Sequence, residues 1–216
     1  MHYEWLAKGQ SSRLIVFFNG WGMTKDSISH LTAENGQSKD FDLLHICNYQ
    51  EPALPTVDFS AYTEIYLITW SMGVYMSTQI HAPFTRKIAF CGTGNPIDLK
   101  EGIAPKVYRL TVQSFSEKTL PVFSEKIGFQ MDNTRPAKNL QEELIAIQNY
   151  DFPQSAFFDC AFIADKDTIF PPKAQNAYWC KNAKKIIHLQ TKHYPFHLFS
   201  SFQEILDMAG NFPCKN

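Results

Sequence analysis

The sequence has few features that could stabilise a fold other than a hydrophobic core. Its 216 residues include only five cysteines, and none of them forms a Cys-x-x-Cys pair. An odd number of widely spaced thiols favours neither a disulfide framework nor a zinc site. We therefore expect unpaired thiols and no metal ion. The five residues are Cys47, Cys91, Cys160, Cys180 and Cys214.

The sequence also lacks a strong charge of either sign and a long apolar run. Its net charge of −1 gives no general attraction to nucleic acid or to an anionic membrane surface. No run approaches the roughly 18 apolar residues that a membrane-spanning helix needs. The N-terminus does not combine a basic start with an apolar stretch, as a signal peptide does. We expect a soluble cytoplasmic monomer, with neither nucleic acid nor a membrane as a partner.

What the sequence does contain is a series of short apolar runs separated by segments of helical pattern. With 44% hydrophobic residues, the chain is long enough to bury a large core. The runs are nearly continuous, as in strands buried on both faces of a parallel sheet. Alternating strands and helices predict an α/β fold with helices on both faces of the sheet. The predicted strands cover residues 13–18, 41–47, 64–70, 87–91, 156–164 and 185–189.

Several segments between or after these strands carry helix signals. Residues 72–81 can form a helix directly after the third strand. Two adjacent prolines at 171 and 172 suit the first turn of a helix that continues through residues 174–180. Ser201 and Glu204 have the spacing of a capping box, which predicts a last helix over residues 202–209.

The stretch 99–150 interrupts this alternation, because it contains no buried-strand pattern. Within it, Asn139 and Glu142 predict the start of an amphipathic helix. The apolar face of that helix would comprise Leu140, Leu144 and Ile147. We interpret residues 99–150 as a cap, or lid, inserted in a core formed by residues 1–98 and 151–216.

Ser71 lies where a catalytic nucleophile of an α/β sheet would lie. The segment Thr69-Trp70-Ser71-Met72-Gly73 ends an apolar strand and opens a helix, as a nucleophile elbow does. The residues two before and two after the serine must be small, and Gly73 meets that requirement. Thr69 replaces the first glycine of the G-x-S-x-G pattern. The other interpretation is that Ser71 only caps the helix.

The loop Asn19-Gly20-Trp21-Gly22 follows the first apolar strand and is a candidate oxyanion hole. Acyl transfer needs N–H donors aimed at the oxygen that gains negative charge. In this type of sheet one donor follows the nucleophile, here Met72, and the other comes from an early loop, here Trp21. The flanking glycines let the backbone approach a substrate closely. A plain glycine-rich turn is the alternative.

A serine nucleophile needs a base and an orienting carboxylate, which follow it along the chain in the order acid and then histidine. Asp165 and Asp167 follow the strand 156–164, and His193 follows the strand 185–189. Both loops therefore lie at the carboxyl ends of strands, where sites of open α/β sheets are built.

Two of these assignments have competitors. We choose Asp167 as the acid because its spacing to Pro171 resembles a D-x-x-x-P turn, while Asp165 stays open. For the base we choose His193. His188 lies inside a predicted strand, which favours a structural role, and His197 is the reserve candidate.

Three motifs together resemble those of the pimeloyl-[acyl-carrier protein] methyl ester carboxylesterases of biotin synthesis. They are Asn19-Gly20-Trp21-Gly22, Trp70-Ser71-Met72-Gly73 and His193-Tyr194-Pro195-Phe196. The BioH-type enzymes have HGWG, W-S-x-G and H-x-P-F at these places. The shorter chain, with Asn19 and a small cap, is more similar to the BioG type. The resemblance runs from about the first strand to the last helix.

This resemblance implies an α/β-hydrolase fold and a serine carboxylesterase that needs no cofactor. The enzyme would convert the methyl ester of pimeloyl-acyl-carrier protein to pimeloyl-acyl-carrier protein and methanol. Ser71, Asp167 and His193 would form the catalytic triad. Other possible functions are a general small-ester esterase, an acyl thioesterase, or a binding module that kept the fold without catalysis.

The implied partner is an acidic acyl-carrier protein, and the predicted cap carries charge of the opposite sign. Residues 100–138 contain seven basic and four acidic residues. We expect the carrier protein to contact Arg109, Lys118 and Arg135. The expected contacts of the acyl chain and ester are Gly20, Trp70, Tyr108, Phe115 and Phe123.

Overall fold

A seven-stranded sheet forms the centre of the computed structural model, which describes residues 1–9, 11–32, 40–154 and 156–210. The strands are β1 (His2–Ala7), β2 (Arg13–Phe18), β3 (Asp42–Cys47), β4 (Glu64–Trp70), β5 (Arg86–Phe90), β6 (Phe158–Ala164) and β7 (Ala183–Leu189). Their order across the sheet is β1-β3-β2-β4-β5-β6-β7. All neighbouring pairs are parallel except β1 with β3.

The six strands expected from apolar runs are confirmed, with ends displaced by at most two residues. Strands β2, β3 and β4 are buried along almost their whole length, as the near-continuous apolar runs predict. Strand β1 was not predicted. It lies at an edge of the sheet and is largely exposed or half-buried, so its sequence carries no apolar run.

Six α-helices complete the described part of the chain. They are α1 (Met72–Met76), α2 (Pro105–Ser114), α3 (Leu120–Ile127), α4 (Ala137–Asn149), α5 (Pro172–Asn182) and α6 (Phe202–Gly210). Helix α1 is shorter than the predicted 72–81. The hydroxyls of Ser77 and Thr78 donate to the carbonyls of Val74 and Tyr75, and the chain continues there as a 3₁₀ turn.

The helix starts show which capping signals were correct. In α6, Ser201 Oγ accepts from the Glu204 amide at 3.2 Å, as predicted, but the Glu204 carboxylate accepts from the amide of Ser200 and not from that of Ser201. The predicted cap at Asn139 is wrong. Helix α4 begins at Ala137, whose amide donates at 2.6 Å to the carboxylate of Glu117, a residue far away in sequence.

Between β5 and β6 the chain forms α2, α3 and α4, and residues 99–150 contain no strand. The predicted apolar face of α4 is confirmed, because Leu140, Leu144 and Ile147 are buried. Tyr108 on α2 donates from its hydroxyl to the Leu144 carbonyl at 2.8 Å, which joins α2 to α4. The division of the chain into a core and a cap stays a prediction.

The structure describes four of the five cysteines and all helices within the described ranges. Cys47, Cys91 and Cys160 are buried free thiols and Cys180 is an exposed one, whereas Cys214 lies outside the described residues. Across the described ranges, every helix is too short or too polar to cross a bilayer.

Candidate active site

Ser71 occupies a sharp turn between β4 and α1. Its backbone has φ 59° and ψ −125°, a region that side chains other than glycine rarely adopt. A Cβ at Gly73 would lie 2.4 Å from the Phe18 carbonyl oxygen, so this position must be glycine. Thr69 is accommodated because its buried hydroxyl donates to the Ile88 carbonyl at 3.3 Å. The turn therefore has the geometry of a nucleophile elbow despite the missing first glycine.

Gly92 also shapes this turn, and the sequence analysis missed it. A Cβ at Gly92 would come within 2.3 Å of the Ser71 carbonyl oxygen. The Ser71 amide donates to the Phe90 carbonyl at 2.9 Å, which ties the elbow to the end of β5. The only sequence signal is a glycine placed just after an apolar strand.

Ser71, His193 and Asp167 form one hydrogen-bonded chain. Ser71 Oγ lies 2.9 Å from His193 Nε2, and His193 Nδ1 lies 2.7 Å from Asp167 Oδ2. An ionised carboxylate only accepts, so Nδ1 carries the imidazole proton and Nε2 is free to accept from the serine hydroxyl. All three residues are buried. This is the arrangement in which a histidine removes the proton of a serine nucleophile.

The Asp167 carboxylate is fixed by three further donors. Its Oδ1 accepts from the amides of Ile169 and Phe170 at 2.8 and 2.9 Å. Its Oδ2, which faces His193, also accepts from Gln175 Nε2 at 3.1 Å. Gln175 is fully buried on α5 and was not predicted as a site residue. Nothing in its sequence context distinguishes it from an ordinary helix residue.

The competing candidates have other partners. Asp165 accepts from His188 Nδ1 at 2.6 Å and from the side chain of Gln190, and this group lies at the surface. His197 Nε2 lies 3.4 Å from the Thr191 hydroxyl. The structure therefore brings Asp167 and His193 to Ser71, while Asp165 and His188 pair with each other.

The Asn19–Gly22 loop and the start of α1 supply backbone amides beside Ser71. Gly20, Trp21 and Met72 all line the cavity that contains the Ser71 and His193 side chains. The Gly20 amide donates to Asn19 Oδ1 at 2.8 Å. Within the described ranges, the amides of Trp21 and Met72 have no acceptor, so both can donate to a substrate oxygen.

The two tryptophans anchor the loops around this cavity. Trp21 Nε1 donates to the Leu140 carbonyl at 2.9 Å and so links the first loop to α4. Trp70 Nε1 donates to the His193 carbonyl at 3.0 Å, and its ring packs 5.5 Å from the imidazole. Trp70 was expected to contact substrate. It lines the cavity, but its fully buried indole also fixes the histidine loop.

The cavity above Ser71 has a volume of about 240 Å³ and lies under α2 and α3. The aromatic residues expected to bind an acyl chain, Tyr108, Phe115 and Phe123, are all in its wall. Phe115 and Phe123 pack against the Trp21 ring at 4.9 and 5.4 Å. The wall is mainly apolar, with a few hydroxyls and Lys126 added from α2 and α3.

The three basic residues expected to contact the carrier have different surroundings. Arg109 on α2 and Lys118 between α2 and α3 are exposed. Arg135 instead lies 2.8 Å from the fully buried Glu143 carboxylate and close to Asn48. Burial raises the pKa of Glu143, and the Arg135 charge opposes that rise. The charge of Arg135 is therefore compensated within the protein, unlike our expectation.

In the described ranges, no three His, Cys, Asp or Glu side chains come together as ligands for a metal ion. The chemistry that the site can supply is a serine hydroxyl, an imidazole oriented by a carboxylate, and two backbone donors.

Comparisons with known proteins agree with this geometry. A family model described as pimeloyl-ACP methyl esterase BioG matches residues 1–205. The crystal structure of BioG from Haemophilus influenzae has a TM-score of 0.81 and 29% identity, covering 94% of this chain and 99% of that one. A lipase-esterase related protein from Clostridium acetobutylicum has a TM-score of 0.63 at 12% identity, covering 98% of each chain, which shows the fold alone.

A curated relative adds a different context. A malonyl-[acyl-carrier protein] O-methyltransferase of Bacteroides fragilis is 33% identical over 196 residues, which are 83% of this chain. The match spans only 39% of that longer protein. The family model covers almost the whole chain, and the fold is that of the α/β hydrolases. The chain belongs to the BioG family of pimeloyl-ACP methyl esterases.

Proposed function

We propose that the protein hydrolyses the methyl ester of pimeloyl-[acyl-carrier protein] to pimeloyl-[acyl-carrier protein] and methanol, with Ser71 as nucleophile. The observation that carries this proposal is the buried Ser71–His193–Asp167 chain, which opens into an apolar cavity under α2 and α3. A hydroxyl beside an oriented imidazole provides the chemistry, and the cavity provides room for an acyl chain.

The reaction proceeds in two halves. Ser71 Oγ attacks the ester carbonyl while His193 Nε2 takes the hydroxyl proton, and the amides of Trp21 and Met72 donate to the oxygen that becomes negative. His193 then returns the proton to the methoxy oxygen and methanol leaves. Water activated by His193 hydrolyses the acyl-enzyme. Asp167 keeps the imidazole in the required orientation and stabilises its charged form.

The name of the Bacteroides relative supports the choice of a methyl ester. That protein is named for transferring a methyl group onto a malonyl-carrier substrate, and part of it is similar to this chain. The product of such a transfer is a carrier-bound methyl ester, which is the class of substrate proposed for this chain. The family of this chain is described as pimeloyl-ACP methyl esterase, which is the hydrolysis of a carrier-bound methyl ester.

The outer face of α2 and α3 suits an acidic carrier protein. Val107, Leu110 and Val122 are more than half exposed there, and two of them, Val107 and Val122, line the cavity. Arg109, Lys118 and Lys126 are exposed on the same two helices or between them. Apolar contacts surrounded by basic charge would attract the carrier and seat it over the cavity. We leave Arg135 out of this surface because Glu143 already compensates its charge.

The direct test is the intact mass of a carrier protein that bears the pimeloyl methyl ester. Incubation with the protein should lower that mass by one methylene and release methanol, and Ser71→Ala should abolish the change while leaving the fold intact. An unchanged mass with the wild-type protein, or full turnover by Ser71→Ala, would refute the proposal. Loss of the whole acyl group would identify a thioesterase instead.

A second test separates carrier recognition from ester chemistry. Arg109→Glu with Lys118→Glu should slow hydrolysis of the carrier-bound ester, most strongly at low salt, but not that of a free methyl ester. Lys8→Glu is the matched control. Lys8 is exposed and follows β1, whose end pairs with the start of β3. It therefore lies near the amino ends of the parallel strands, whereas Ser71 follows the carboxyl end of β4. Equal slowing by the control would count against a docking face on α2 and α3.

A further inference from the structure

Asn19 is a buried polar residue at the start of the loop that carries Trp21, and the mechanism above does not use its side chain. It is fully buried at the end of β2. Its Oδ1 accepts from the Gly20 amide at 2.8 Å and from the Ser27 hydroxyl at 3.2 Å. Because an amide N–H only donates, the contact with Gly20 determines which end of the Asn19 side chain is oxygen.

The nitrogen end of Asn19 then faces His45 on β3. Asn19 Nδ2 lies 2.8 Å from His45 Nε2 and 2.9 Å from the Thr24 carbonyl oxygen. Nδ2 also lies 3.0 Å from Ser27 Oγ, but an amide nitrogen only donates, so it cannot accept a proton from His45. His45 Nε2 must therefore be unprotonated, since a proton there would point at another donor.

The proton of the neutral imidazole is consequently on Nδ1, which donates to Glu4 Oε1 at 3.2 Å. Burial lowers the pKa of His45 to about 4, against the opposing effect of Glu4. The titratable groups around His45 are Glu4 and His2 on β1 and Lys25 after β2, and both His2 and Lys25 act to lower this pKa. A neutral ring agrees with the direction of every hydrogen bond in the chain.

We propose that Glu4, His45 and Asn19 are positioning residues that set the oxyanion loop, so that Trp21 offers its amide to the substrate. By accepting the Gly20 amide, Asn19 fixes the Asn19–Gly20 peptide, which directly precedes the Gly20–Trp21 peptide that carries the Trp21 amide. The inference rests on the proposed function, because it assigns Trp21 as an oxyanion donor. It adds three residues from three separate segments that touch no substrate.

The backbone of Asn19 also contacts the turn that carries Ser71. The Asn19 carbonyl accepts from the Tyr49 hydroxyl at 2.5 Å, and the Asn19 amide donates to the Ile46 carbonyl at 2.9 Å. The same carbonyl oxygen would lie 2.6 Å from a Cβ on Gly73, two residues after Ser71. The loop and the nucleophile elbow are thus in direct contact, and a displaced Asn19 would disturb both.

The test uses the intact chain and a short p-nitrophenyl ester, whose hydrolysis needs the oxyanion donors but no carrier. Asn19→Ala should lower kcat by about 100-fold, the loss expected for one oxyanion donor. Glu4→Leu should lower kcat by about tenfold, with KM within about threefold of wild type, because the hydrogen bond to His45 is lost. Glu4→Gln keeps an acceptor oxygen and should restore most of that loss.

A second readout separates positioning from a loss of folded protein. The inhibition constant of a trifluoromethyl ketone, which forms an oxyanion on Ser71, should weaken in parallel with kcat/KM. Lys25→Met removes only the other partner of Glu4, 3.5 Å away at the surface, and should change neither quantity.

The outcomes distinguish this inference from the proposed function. Folded Glu4→Leu protein with wild-type kcat, or with lower kcat and an unchanged inhibition constant, would overturn the positioning role. If Asn19→Ala does not fold, Glu4→Leu and Glu4→Gln still decide, because Glu4 is one-third exposed at the sheet edge. A wild-type protein that cleaves the p-nitrophenyl ester but not the carrier-bound methyl ester would refute only the proposed function.

Discussion

An aspartate that accepts from one histidine and one glutamine occurs twice near the carboxyl ends of β6 and β7. In the outer group, Asp165 accepts from His188 and Gln190. In the inner group, Asp167 accepts from His193 and Gln175. The histidine–aspartate distances are 2.6 and 2.7 Å, so the pairs cannot be told apart by hydrogen-bond length.

The two groups differ in burial and in what the second imidazole nitrogen meets. The His188 and Asp165 side chains are 45% and 28% exposed, whereas those of His193 and Asp167 are 3% and 0% exposed. Only His193 has a serine hydroxyl at Nε2. A charge pair in water contributes little, while a buried one acts strongly on a neighbouring group. The environment of an aspartate–histidine pair, and not the pair itself, therefore determines whether it can act on a neighbouring hydroxyl.

The largest expected difference comes from removing each histidine. His193→Ala should lower kcat for the carrier-bound ester by about 10⁴-fold or more, because Ser71 loses its base. His188→Ala should leave kcat within about twofold of wild type, since no reacting group contacts it. Steady-state rates on the same substrate measure both. Equal losses would mean that the surface pair takes part in the reaction.

Removing the charge of each aspartate is the next step. Asp167→Asn keeps the shape but can donate toward His193 Nδ1, which favours the wrong tautomer and should lower kcat by about 10⁴-fold. Asp165→Asn should have almost no effect on kcat. A fluorophosphonate that labels Ser71 gives an independent readout, slow for the first variant and normal for the second. Normal labelling of Asp167→Asn would refute its assignment as the acid.

The glutamines allow a finer comparison, because each donates to only one aspartate. Gln175→Leu removes the donor 3.1 Å from Asp167 Oδ2 and should lower kcat by about tenfold, as a hydrogen bond to a charged group is worth about 1.5 kcal/mol or more. Gln190→Leu is its matched control and should leave kcat unchanged. Thermal unfolding of both variants checks that a lower kcat does not result from a loss of folded protein. A smaller loss for Gln175→Leu than for its control would show that Gln175 does not position the acid.

Most of the sheet could be predicted from the sequence because burial on both faces leaves an unbroken apolar run. Strand β1 could not, since an edge strand with exposed residues has no such run. The start of α4 was misplaced for a related reason. Its cap is the carboxylate of Glu117, which lies twenty residues before the amide it accepts from and belongs to no local motif.

The residues of the site also fall into two classes, those that a local sequence pattern marks and those that depend on contacts between distant segments. Ser71 and its turn are local, so a short motif could identify them. The spacing to Pro171 favoured Asp167, but spacing alone left Asp165 open, since both aspartates follow the same strand. Gln175 and the Glu4–His45–Asn19 group depend on contacts between distant segments, and no local pattern marks them. Arg135 was expected at a docking surface because its buried partner Glu143 cannot be recognised from sequence.

The smallest expected effect is on stability, and it tests whether burial distinguishes the inner aspartate–histidine pair from the outer one. A double-mutant cycle of Asp165→Asn and His188→Asn should give a coupling free energy below about 1 kcal/mol, because solvent screens the exposed pair. The coupling should shrink further when denaturant unfolding is repeated at high salt. The corresponding cycle for Asp167 and His193 should give a larger value with little salt dependence, since removing one partner leaves a buried polar group uncompensated. Equal couplings for the two pairs would mean that burial is not what separates the inner group from the outer one.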